Sequence, residues 1–111
     1  MIIHITGKQE WQEAIRNGLY LPLNYDKDGF IHCSPIERIT GVANYNYKAK
    51  KNLVLLFIDE TKLKSKVVWE DLYNSDVEFP HIYGSLNIDA VVKVVDFPCG
   101  EDGFFTLPNN I

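Results

Sequence analysis

The chain holds three histidines, His4, His32 and His81, and each is followed two residues later by a hydroxyl: Thr6, Ser34 and Tyr83. An imidazole titrates near neutrality, so it can serve as acid, base or metal ligand. The three segments, IHIT, IHCS and PHIYG, all read as strands, in which residues i and i+2 project from one face. Each strand therefore presents an imidazole and a hydroxyl together. Buried imidazoles need partners, and convergence of the three pairs would form one polar patch in an apolar sheet. The plainer alternative leaves each ring satisfied by a backbone carbonyl, with Thr6 and Ser34 as helix caps.

Three histidines on neighbouring strands could also hold zinc and leave a fourth position for water, although no HxH or HxxxH pair is present. Cys33 should point to the face opposite His32, which argues against a Cys–His nucleophilic dyad. Cys33 and Cys99 lack zinc or CxxC spacing and read as reduced core residues. Glu70, Asp71 and Glu78 could each support a histidine, but they read as solvated charges at strand edges. GxGxxG, P-loop and GxSxG motifs are absent.

The elements that must position these groups follow from periodicity. IIHIT (2–6) alternates as a strand. Trp11, Ala14 and Ile15 then fall at helical spacing, with Thr6 and Gln9 as a capping box and Gly18 as the stop. Residues 19–28 read as a loop with a short extended piece. GFIHC is a second strand. SPIE predicts a helix capped by Ser34, entered at Pro35 and supported by Glu37. Ile36, Ile39, Ala43 and Tyr47 would be its buried face, down to the basic KAKK end. NLVLLFID (52–59) is a buried strand, and VVWED, DVEFPHIYGS (from Pro80) and LNIDAVVKVVDF hold later ones. FPCGEDGFFTLP is a loop pinned by Phe104 and Phe105. The order β-α-β-α followed by strands predicts an α+β domain with a mostly antiparallel or split sheet. Trp11, Ile15, Ile36, Ile39, Leu55 and Phe57 should be buried.

The 111 residues suit one domain, 1–111, and the 46% hydrophobic content is enough for a core. A net charge of −4 opposes broad nucleic-acid binding but leaves room for a small anion in a local pocket. The first two strands each run into a helix N-terminus, a natural anion seat, with His4 and His32 at the mouths. No signal peptide and no membrane span is expected, which suggests a cytoplasmic protein.

On IHIT, GFIHCSPIE, LVLLFID, VVWE and FPHIYG, the chain resembles the family called domain of unknown function 952. That family is held to be similar to the ADP-ribosyltransferase fold, which implies a split, mostly antiparallel sheet around an NAD cleft, here with two N-terminal helices. Within that superfamily the nearest likeness is to tRNA 2'-phosphotransferases. IHIT is similar to their first histidine motif, and His32-Cys33-Ser34 to their His-x-Ser motif. Where protein-modifying transferases place a glutamate, FPHIYG has His81 and Tyr83. The two arginines, Arg16 and Arg38, lie outside the motifs.

The resemblance implies an NAD- or ADP-ribose-binding, transferase-like enzyme. His4, Thr6 and Ser34 would hold the cofactor, and His32, His81 and Tyr83 would do the chemistry. A three-histidine zinc site and a non-catalytic nucleotide-binding module are the alternatives.

Overall fold

The structure is a computed structural model and describes residues 1–109 and 111. The central sheet runs in the order β1-β4-β8, with β1 (Ile2–Gly7) and β8 (Val91–Asp96) both antiparallel to β4 (Leu53–Ile58). All six residues of β4 are buried, which explains its unbroken apolar run: both of its faces are covered. Ile2, Val54, Leu56 and Ile58 pack against Trp11 and Ala14 of α1 (Lys8–Asn17) and against Ile31, Cys33 and Ile82. Ile3, Ile5, Leu55 and Phe57 pack on the other side, against Ile39 and Ala43 of α3 (Ile39–Asn46) and against Phe97 and Phe105.

A second antiparallel sheet has the order β3-β6-β5, from Ile31–His32, Phe79–Tyr83 and Lys66–Glu70. A short pair joins β2 (Leu19–Tyr20) to β7 (Leu86–Asn87). The two larger sheets meet at one bridge, where Ile3 N–H donates to Ser34 O and Ser34 N–H to Ile3 O, both at 2.8 Å. The result is mixed α+β with antiparallel sheets. The radius of gyration, 13.4 Å, matches the roughly 13 Å of a single compact domain of this length. No helix among the described residues is long and apolar enough to cross a membrane.

Several expectations are corrected. Among the described residues three α-helices form, not two, because Tyr25–Asp28 make a single turn, α2, closed by Gly29 at φ 80°. Thr6 does not cap α1. The cap is Gly7, without a side-chain bond, while Thr6 stays in β1. Ser34 does not cap a helix either. Its backbone is spent on Ile3, which holds it in strand geometry, and its hydroxyl donates to Pro35 O at 2.9 Å. Pro35 continues extended (ψ 159°), a 3-10 turn follows at Ile36–Arg38, and α3 starts only at Ile39. The two helix-mouth anion seats are therefore not built as expected, and the first amide of α1, Lys8 N–H, already donates to Asn52 O.

Burial expectations hold for Trp11, Ile39, Leu55 and Phe57, but Ile15 is 53% exposed and Ile36 37%. The buried stripe of α1 is only Trp11 and Ala14 wide. In the C-terminal loop Phe105 stacks on Phe97, whereas Phe104 lies outside under the Lys48 ammonium. Both cysteines are free thiols, but only Cys33 is a core residue; Cys99 is partly buried at the edge of the second cluster. Cys33 lies in the core with Ile31's face of the sheet, away from the His32 ring, and burial pushes its thiol pKa up.

Candidate functional site

His32 and His81 sit directly opposite each other in the β3–β6 ladder, so their side chains leave the same face. Their rings meet edge to face at 5.7 Å. Phe30 fills the angle between them, stacked on His81 at 4.0 Å and tilted against His32 at 4.6 Å. Glu70 reaches this group because it lies two residues along β5 from Val68, the cross-strand partner of His81. Its Oε2 accepts from His81 Nδ1–H at 2.8 Å and from the Tyr83 hydroxyl. The Tyr83 hydroxyl first, then His81, holds the Glu70 carboxyl below its ordinary pKa, and the same bond raises that of Tyr83.

The His32 ring is held from the other side by α2. Asp28 Oδ2 takes His32 Nε2–H at 3.0 Å and the Asn24 amide N–H at 2.8 Å. The His32 side chain is 45% exposed, that of His81 1%. One imidazole thus faces outward, while its neighbour forms the packed layer beneath.

His4 belongs to a different group. Its ring enters the core, where Nδ1–H donates to the backbone carbonyl of His32 at 2.5 Å and Nε2 lies 2.8 Å from the Tyr20 hydroxyl. Tyr20 in turn meets Thr6 Oγ1 at 2.9 Å. Burial dominates here and lowers the His4 pKa to about 4, so the ring is neutral at neutral pH. With Nδ1–H committed to a carbonyl, Nε2 can only accept. The Tyr20 hydroxyl therefore donates to it and receives the Thr6 proton. Burial also raises the Tyr20 pKa.

The predicted site residues thus fall into groups. His32, His81 and Tyr83 come together, with Glu70. His4 and Thr6 come together, with Tyr20, and join the first group only through the His32 peptide. Ser34 is buried and bonded within the backbone. A cleft of about 400 Å³ connects the groups, within the range of small-ligand sites. His4, Thr6 and Tyr20 border it from β1 and β2, Asn24 and His32 from α2 and β3, and Lys50 and Lys51 from the loop before β4. His81, Tyr83 and Ser34 are not among the described residues that border it. The three imidazoles offer no zinc donor set. Both His4 nitrogens are engaged, and among the described residues no three His, Cys, Asp or Glu side chains could hold a metal ion together.

Asp28, Glu70, Tyr20, Asn24 and the two lysines were not marked by any motif. Asp28 stands four residues before His32, but Gly29 ends the helix between them, so helical spacing does not apply. Glu70 and His81 meet only through the β5–β6 register, which the eight-residue connection 71–78 conceals.

Comparison with known proteins gives a consistent answer. The crystal structure of protein CC0527 from Caulobacter crescentus is similar over 98% of this chain and 96% of its own, with TM-score 0.87 and 29% identity. The solution NMR structure of CC0527 is similar over 99% and 95%, with TM-score 0.83 and 29% identity. No curated protein matches. The family described as Protein of unknown function (DUF952) matches residues 5–94, and the chain belongs to that family.

Proposed function

We propose that the protein binds a small nucleotide-like ligand of the NAD or ADP-ribose type in the cleft beside His32 and acts on it as a transferase-like enzyme. The single observation that carries this reading is the make-up of the cleft. A polar floor (His4, Thr6, Tyr20) adjoins two lysines (Lys50, Lys51), the Glu10 carboxylate and a carboxylate-held imidazole (His32). Lysines suit phosphate oxygens as point charges. An imidazole whose second nitrogen is fixed by a carboxylate is suited to proton transfer. In this reading His32 is the catalytic residue, His4 and Thr6 shape the cofactor floor, and His81 and Tyr83 act from behind as positioning residues. Ser34 holds the backbone in place.

Calorimetric titration with ADP-ribose and with NAD tests the proposal. Lys50→Ala and Lys51→Ala should each weaken binding by roughly tenfold, the loss expected of one charge-assisted contact. His32→Ala should abolish product formation. Binding without turnover by the wild type would favour the non-catalytic module. No heat from either ligand at millimolar concentration, with no NMR shift changes at the cleft, overturns the reading.

A further inference from the structure

The hydrogen bonds around Asp28 give the cleft a polarity that its list of side chains does not. At neutral pH a carboxylate only accepts. Asp28 Oδ2 receives Asn24 Nδ2 at 2.8 Å and His32 Nε2 at 3.0 Å, so both partners turn their donors toward it. Asn24 is left with Oδ1 as its outward atom, and the His32 ring, in its neutral form, with the Nδ1 lone pair. Asn24 also occupies the N-cap position of α2 without making a capping bond. Its carbonyl oxygen is therefore not spent on the helix, although asparagine is among the best capping residues. Asn24 and His32 both border the cleft, while Asp28 stands behind them with its side chain 23% exposed.

We infer that Asp28 is a positioning residue that makes the Asn24–His32 rim a pair of hydrogen-bond acceptors, so that this rim takes the vicinal hydroxyls of a sugar while Lys50 and Lys51 take its phosphate. The inference rests on the proposed function and gives the ligand a direction: the sugar hydroxyls face His32, and the anion faces the lysines. It reverses the expectation that the His32 side holds phosphate. It also gives His32 a defined task, because an Nδ1 lone pair facing the cleft accepts a hydrogen bond from a sugar hydroxyl and fixes its orientation.

Two measurements test it. Nitrogen-15 NMR of the ligand-free protein at pH 8 should show His32 with its proton on Nε2, a readout independent of any ligand. In Asp28→Asn the new amide can donate to Nε2, and the tautomer should shift toward Nδ1–H. Calorimetry then compares ribose 5-phosphate with 2-deoxyribose 5-phosphate. The wild type should prefer the ribose compound by roughly tenfold, the value of one well-placed hydroxyl contact, and Asp28→Asn should bring the two within twofold of each other. If neither sugar phosphate binds the wild type, both the reading of the cleft and this inference fall. If both bind equally, or if the wild-type His32 carries its proton on Nδ1, this inference alone falls. The wild-type measurements decide the matter even if Asp28→Asn does not fold.

Discussion

The peptide of His32 separates two polar groups that use the same side-chain chemistry for different ends. On the inner side, His4, Thr6 and Tyr20 form a closed chain of hydrogen bonds with no charge, anchored on the His32 carbonyl. On the outer side, Asp28 and Glu70 each hold an imidazole, and solvent reaches His32 and Tyr83. Desolvation disfavours the charged form of a group, so the inner imidazole is neutral and serves the fold. Of its outer counterparts, both keep carboxylate partners, but only the half-exposed His32 stays open to a ligand, since His81 is buried beneath it. Histidine as a residue type does not distinguish these roles; the partner does, a backbone carbonyl for His4 and a carboxylate for His32 and His81.

The comparison breaks most visibly on removal of a ring. His4→Ala leaves a cavity and strips partners from the His32 carbonyl and the Tyr20 hydroxyl, which should cost about 3–5 kcal/mol. His32→Ala removes a half-exposed ring and should change stability by no more than about 1 kcal/mol, while ligand binding suffers. Chemical denaturation of both variants measures this. Equal losses would mean that the two groups are not distinct.

Acid titration separates them next. His4 has a pKa of about 4 in the fold and about 6.5 in an unfolded chain. The unfolded state therefore takes up the proton first as pH falls. Stability should decline from about pH 6.5 to about pH 4, by about 3 kcal/mol in all. The outer carboxylate Glu70 has its pKa lowered instead, so its contribution is present above the ordinary glutamate value and is lost only as pH falls further, through the folded value. Denaturation midpoints at pH 7, 5 and 4 should show the upper decline in the wild type and its loss in His4→Asn.

Much of the fold was legible in the sequence because it depends on local period. LVLLFI reads as a strand buried on both faces, and it is. Gly18 stops α1 with φ 84°. The errors arose where tertiary contacts overrule local preference. SPIE has the composition of a helix start, but two backbone bonds to Ile3 claim Ser34 for a sheet. Ile15 has the right spacing for the core, yet α1 buries too narrow a stripe to include it. For the site, i, i+2 alternation correctly suggested that His4 shares a polar group with Thr6 and His81 with Tyr83, but Ser34 bonds to Pro35 O and Ile3 and has no contact with His32. Only the β3–β6 register could show that His32 faces His81, and only the sheet-to-sheet bridge places His4 on the other side of the His32 peptide. The carboxylates were hardest to read, since Asp28 and Glu70 find their imidazoles across a turn and across a ladder.

A milder cut sharpens the inner group. Tyr20→Phe keeps the ring against Trp11, at 6.5 Å between centroids, and deletes only the hydroxyl between His4 and Thr6. Two buried polar atoms then lose a partner, for about 1–3 kcal/mol, and the rest of the core is undisturbed. A loss well below that range would show that water or Thr6 itself can satisfy His4 Nε2.

The smallest expected change lies on the outer side. Tyr83→Phe removes the contact that does most to lower the Glu70 pKa and leaves His81 as its remaining donor. The Glu70 pKa should move up toward the ordinary glutamate value without reaching it, because the His81 bond persists. Carbon-13 NMR of the Glu70 carboxyl reads this directly. The fold should barely respond, since Tyr83 is 39% exposed and Phe retains its ring beside Phe30. The sign of the carboxyl shift is the discriminating result. An unchanged Glu70 pKa would mean that the tyrosine only covers the carboxylate. A rise confined to the carboxyl, with His32 still on Nε2, would show that the Glu70 pair and the Asp28 pair work independently, although their rings touch.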